Sequence, residues 1–155
     1  MKCLFTLLFG FLTIGISAQN TEELAVQKTI EAFFNGFHQQ DSLLIKETVS
    51  KGVVMQTVAQ DEAGNPLVKT EEFSGFLKSI VGIPETTKFE EILNSFTVQI
   101  DGPMAHAWTP YTFMINDTFH HCGVNSFQLV KDAQKKWQIV YLIDTRRTEG
   151  CDEAK

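Results

Sequence analysis

The sequence predicts an α+β fold, with N-terminal helices laid on one face of a strongly curved antiparallel sheet. Three observations carry this. Val26, Ile30, Phe33 and Phe37 recur at spacings of four, three and four, the stripe of an amphipathic helix. From Phe89 onward the period changes to two, as in a strand with unlike faces. The chain then closes with two apolar runs, Phe127–Val130 and Trp137–Ile143, around the polar connection Asp132-Ala133-Gln134-Lys135. Their β-branched and aromatic residues make a strand, a turn and a strand. Helices first and a meander afterwards is a layered α+β order.

The N-terminal segment stands apart from this fold. Met1-Lys2 is a positive start, Leu4 to Ile16 is almost wholly apolar, and Ile16-Ser17-Ala18 offers the small residues a signal peptidase reads. We therefore expect a signal peptide over 1–18, cleaved after Ala18, and a single domain over 19–155. The apolar run is too short for a confident membrane span, so no stable membrane insertion is expected after cleavage. The alternative is an uncleaved anchor. A periplasmic or secreted location follows from the cleaved form.

Taken in order, Asn20 with Glu23 three residues on predicts a helix start, and the stripe carries that helix to about Gln39. Gly36 inside it permits close approach by another element. Asp41 caps a short second helix containing Leu43, Leu44 and Ile45. Val53–Val58 is a short strand, Asp61 to Pro66 a turn, and Leu67-Val68 a brief returning strand. Thr70 is expected to cap a third helix, with Phe73, Phe76, Leu77 and Ile80 as its core stripe and Gly82 and Pro84 ending it. Ile92, Asn94, Phe96, Val98 and Ile100 form one face of the next strand. Asp101-Gly102-Pro103 turns the chain, Met104–Ile115 is a strand, and Asn116-Asp117-Thr118 leads into the final hairpin.

Composition narrows the function. One domain of this size has a real core. The formal net charge of −6 at pH 7 argues against nucleic acid, which needs a basic footprint. After cleavage two cysteines remain, Cys122 and Cys151. In an exported protein an even count suggests a disulfide. The alternative is a buried Cys122 and a frayed Cys151.

Face membership comes from centring the last turn between Ala133 and Gln134 and the previous one between Asn116 and Asp117. Then Cys122 faces Thr145, Asn125 faces Leu142, His121 faces Arg146, Trp108 faces Asn125 and Thr112 faces His121. One face carries Trp108, Thr112, His121, Asn125, Phe127, Leu129, Leu142, Asp144 and Arg146, apolar near the hairpin turn and polar at the open end. The other carries Tyr111, Cys122, Val124, Trp137, Ile139, Tyr141 and Ile143. Either could line a cavity, leaving the other for a dimer, and a slip of one residue would reshuffle both.

With the helix ending at Phe37-His38, the Asp41-capped helix and the closing Trp137-Gln138-Ile139-Val140, the chain resembles the nuclear transport factor-like superfamily over about Glu22 to Arg147. His121 to Phe127 with Asp144-Thr145-Arg146-Arg147 resembles its SnoaL-like and lumazine-binding-like exported bacterial members. The resemblance implies a cone-shaped, cystatin-like fold, a pocket between helices and sheet, and a homodimer through the sheet. It spans isomerases, cyclases, dehydratases and non-catalytic binding domains, so it leaves function to the site.

The leading expectation is an exported domain that binds a small, largely apolar molecule, with Trp108, Tyr111, Asn125 and Arg146 contacting the ligand. Asp144 and Arg146, two residues apart on a strand, share a face about 7 Å apart. They could clamp an anionic ligand, or form a structural ion pair. The second reading is a ketosteroid-isomerase-like or SnoaL-like enzyme with Asp144 or His121 as acid or base. The third is a non-catalytic dimeric interaction module. No metal is expected: adjacent strand residues His120 and His121 should point apart, and His106 lies roughly 20 Å down the neighbouring strand. No cofactor motif is present.

Overall fold

The computed structural model describes residues 13–151. The expected signal segment therefore lies largely outside the described residues. Three helices pack on a curved, mixed sheet of seven strands in the order β2-β1-β7-β6-β5-β3, with β4 also paired to β5. The elements are α1 (Thr13–His38), α2 (Ser42–Thr48), β1 (Val49–Gln60), β2 (Pro66–Glu71), α3 (Phe73–Val81), β3 (Phe89–Leu93), β4 (Thr97–Asp101), β5 (Met104–Ile115), β6 (Thr118–Lys131) and β7 (Trp137–Arg147).

Helix α1 begins at Thr13, so Asn20 lies inside it and not at its cap. Gly15 alone costs too little to stop a helix, and no proline intervenes. Its expected stripe is the core: Val26, Ile30, Phe33 and Phe37 are all buried, joined by Phe34. A Cβ on Gly36 would meet the Ile45 side chain and backbone nitrogen at 2.9 Å, so glycine here lets α2 lie directly against α1. Asp41 caps α2 by accepting from the backbone N–H groups of Leu43 and Leu44 at 2.9 and 3.0 Å. Asp41→Ala is expected to cost about 1 kcal/mol in chemical unfolding. A change below a few tenths would show that packing alone holds this helix.

Thr70 does not cap α3. It sits in β2 opposite Gln56, whose side-chain amide donates to its hydroxyl, and Glu72 takes the cap position without a side-chain bond. Strand pairing with β1 outbids the local capping signal. The single strand expected from Phe89 is two strands, both on β5. The break falls opposite Pro110, which has no N–H for the ladder. Its parity also differs: Phe89, Glu91 and Leu93 turn inward, while Ile92 is exposed.

β1 pairs parallel with β7, giving the otherwise antiparallel sheet its mixed character. Both hairpin turns lie where composition placed them, with Asn116 and Asp117 at φ of 49° and 60°. Each hairpin, however, carries a one-residue bulge. Ile115 pairs Thr118 and Met114 pairs Phe119, but Phe113 pairs His121, so His120 is extra. Leu129 pairs Ile139 and Gln128 pairs Tyr141, so Val140 is extra. These two residues redistribute the faces. Asn125 opposes Thr109 and Asp144, and Phe127 opposes Leu142. Trp137 and Ile139 turn into the core instead of lying on the opposite face.

The C-terminal end of β7 is tied down covalently. Cys122 and Cys151 form a disulfide with Cα atoms 5.8 Å apart. It links the tail to β6 beside the site described next.

Candidate functional site

Between α1, α3 and the concave face of the sheet lies a cavity of about 490 Å³. Its wall is aromatic because α1 and α3 both aim phenylalanines at the sheet. Phe76 stacks on Phe33 and on Phe37, with centroids 6.0 and 6.1 Å apart and planes within 8° and 4°. Phe89 and Phe113 close the cage around Phe37.

The polar end is built from four strands. Glu91 comes from β3, Tyr111 from β5, Asn125 and His121 from β6, and Asp144 and Arg146 from β7, all lining the cavity. Asn125, 3% exposed, donates through Nδ2 to Glu91 Oε1 at 2.6 Å. Arg146 Nε donates to Asp144 Oδ2 at 2.8 Å; the Asp144 side chain is 11% exposed and that of Arg146 is 59% exposed, at the mouth. The Tyr111 hydroxyl donates to the Thr145 carbonyl at 3.0 Å and lies 3.4 Å from Asp144 Oδ2. Tyr111 reaches that carbonyl by crossing Gly123, its cross-strand neighbour. Any Cβ on Gly123 would run into the Thr145 carbonyl and the Tyr111 ring.

Burial sets the electrostatics. It pushes the Glu91 carboxyl up to about 8, with the Asp144 charge adding to the effect and the Asn125 hydrogen bond opposing it. Glu91 is therefore largely protonated at neutral pH. Burial, with the charges of Arg146 and His120, pushes His121 down to about 4, so its ring is neutral. Burial holds the Tyr111 phenol well above its usual range. At the end of α1 the half-buried His38 accepts the Glu91 backbone N–H through Nε2 at 2.9 Å, anchoring the strand that presents Glu91. Burial lowers the pKa of His38, which favours this neutral, accepting form.

Of the residues expected at a site, Tyr111, His121, Asn125, Asp144 and Arg146 come together around one cavity. Trp108 does not join them. The bulge at His120 shifts the β5–β6 register by one, pairing Trp108 with Ser126 and placing it 47% exposed on the outer face. Thr112 likewise pairs Cys122, and Tyr111 takes the inward place. The same bulge corrects the argument that His120 and His121 point apart: their Nδ1 atoms are 2.8 Å from each other and both residues line the cavity mouth. A pair still falls short of the three protein ligands of a catalytic zinc centre.

Sequence reasoning missed Glu91. Its signal was present in Phe89: a large aromatic two residues before a glutamate on a strand places that carboxyl on the buried face.

Helices on a curved sheet around an amphipathic cavity define the class: an α+β cone with an internal, ligand-sized pocket. No protein-family model and no curated protein sequence matches the chain. Solved structures do match, and their fold is nuclear transport factor-like. An NTF2-like protein with a cystatin-like fold from Novosphingobium aromaticivorans superposes with a TM-score of 0.66 over 94% of this chain and 94% of its own, at 14% identity. A candidate dehydratase of the NTF2-like family from Streptomyces avermitilis gives 0.63 over 83% of this chain and 98% of its own, at 14% identity. A candidate ketosteroid isomerase from Shewanella frigidimarina gives 0.58 over 77% and 94%, at 10% identity. At these identities the likeness establishes the fold.

Proposed function

We propose that this protein is an exported binding domain for a small, largely apolar molecule, held in the cavity between the phenylalanine wall and the polar strand ends. One observation carries the reading: the cavity is aromatic on the helix side and polar on the β3, β6 and β7 side. A volume of about 490 Å³ suits a ligand of drug-like size. The Cys122–Cys151 disulfide is compatible with export. The exposed Trp108, in one cross-strand row with Ser126 and Ile143 on the outer face, supports homodimerisation through the sheet.

The test is native mass spectrometry of the chain expressed with export, beside an Ile80→Trp variant that fills the cavity. Added mass that leaves on denaturation, and is absent from the variant, is the expected result. The native peak also gives the stoichiometry. Identical adducts on both proteins would place the bound molecule outside the cavity and end this reading.

A second reading, acid–base catalysis, is favoured by one residue: a carboxyl of pKa about 8 in an apolar cavity is suited to proton transfer near neutral pH. This moves the acid–base role proposed for Asp144 or His121 to Glu91. Asp144 is engaged with Arg146, and His121 titrates far below neutrality.

A further inference from the structure

We propose that His120 and His121 form a separate metal site at the cavity mouth, which takes one copper(I) ion in linear coordination between their Nδ1 atoms. The site does not depend on what the cavity itself holds.

The bulge in β6 makes His120 an extra residue, so two consecutive strand residues line the same mouth. Their Nδ1 atoms meet at 2.8 Å. The ring centroids are 5.1 Å apart, close to the largest separation that this contact and two ring radii permit. Each Nδ1 therefore points almost straight at the other. One ring holds a proton on that line and the other offers it a lone pair. Moving the donor's proton to its own Nε2 is a change of tautomer. It releases no proton to solvent and leaves two lone pairs converging on one point.

A linear pair of neutral nitrogens selects the ion. Structural and catalytic zinc centres take three or four protein ligands. No group of three His, Cys, Asp or Glu side chains that could hold a metal occurs among the described residues. Glu71, Glu91 and Asp144 line the same cavity, but none joins the pair in such a group, and Asp144 is engaged with Arg146. Copper(I) is monovalent and is satisfied by two nitrogen ligands on a line, and imidazole suits copper. The rings of Phe113 and Tyr111, with centroids 4.8 and 5.6 Å from that of His121, hold the half-buried imidazole and keep water from its sides. A dry aromatic shell favours copper(I) over the strongly hydrated divalent ion. The nitrogen spacing must open to about 4 Å, twice a metal–nitrogen bond of about 2.0 Å. His120 is exposed, so a rotation of its side chain supplies that movement.

The test titrates copper(I) into the full folded chain without oxygen, with ascorbate as reductant and a chromogenic copper(I) chelator as competitor. All proteins carry Cys3→Ser, which removes the one thiol outside the Cys122–Cys151 disulfide. The chain is expected to take one ion, with the X-ray absorption edge of two-coordinate copper(I). His120→Ala and His121→Ala should each weaken binding at least about hundredfold, more than the loss of an outer-shell partner costs. His106→Ala, far down the neighbouring strand, should leave binding unchanged. Zinc at equal concentration should not displace the copper. Equal copper(I) affinity with and without His120 would overturn the inference. So would an absorption edge of three- or four-coordinate copper, or displacement by zinc. Circular dichroism checks that the variants fold. If they do not, the coordination number and the zinc competition on the chain with both histidines decide.

Discussion

Glu91→Gln is expected to make the protein more stable at neutral pH, by about 2–4 kcal/mol. The sign follows from the raised folded value of about 8 against an ordinary 4.5. Below pH 4.5 Glu91 is protonated in both the folded and the unfolded chain and contributes no pH dependence. As pH rises from 4.5 to about 8, the unfolded chain releases the proton while the folded chain keeps it. Stability therefore falls across that window and levels off above it. Glutamine keeps the shape and can still accept the Asn125 amide proton, but it does not titrate. Urea unfolding at pH 4.5, 7 and 9 should show the wild-type and variant curves together at the lowest pH and separated at the two higher ones. Parallel curves at all three would mean that water solvates Glu91 freely through the mouth. A native residue this costly to stability is one mark of a functional position.

Gly123→Ala is expected to cost about 3 kcal/mol or more in the same measurement. The added methyl cannot be absorbed by a side-chain rotation, because one atom it meets is the Thr145 backbone carbonyl on the adjacent strand. β6 and β7 would have to separate where they carry Asn125, Asp144 and Arg146. The Tyr111 ring, lying across the same spot, would also be displaced from its bond to that carbonyl. A double variant with Tyr111→Leu separates the two contributions. It should recover the part due to the ring and leave the part due to the backbone. A loss under about 1 kcal/mol for Gly123→Ala would mean that the strands slip past each other easily, and the site would lose its rigid frame.

Much of this was legible in the chain. The stripe of Val26, Ile30, Phe33 and Phe37 placed α1 against the core, since residues three and four apart share a helix face in any context. Asp41 announced α2, because a cap is a bond between a side chain and its own nearest backbone. Asn116-Asp117 and the Asp132–Lys135 stretch announced both hairpins for the same local reason. Cys122 and Cys151 signalled a possible bridge by count alone. With those elements, the order of helices and strands was enough for an α+β fold, and the sharing of one sheet face by Asn125, Asp144 and Arg146 was already visible, though not which face lines the cavity.

What the tertiary structure decided were the places where one residue changes everything downstream. Strand alternation has a period of two, so the bulges at His120 and Val140 each invert the faces beyond them. That is why Trp108 left the cavity, why Tyr111 entered it, and why His120 and His121 meet. Local sequence holds no mark of such an insertion, because the mismatch exists only between two paired strands. Glu91 is the same case in electrostatics. Its residue type is fixed by the chain, but its proton is held by burial against the apolar wall that α1 and α3 supply and by the charge of Asp144 on β7, in opposition to the amide that Asn125 on β6 donates. These groups are distant in sequence, and the desolvation they impose arises when the cone closes around the carboxyl.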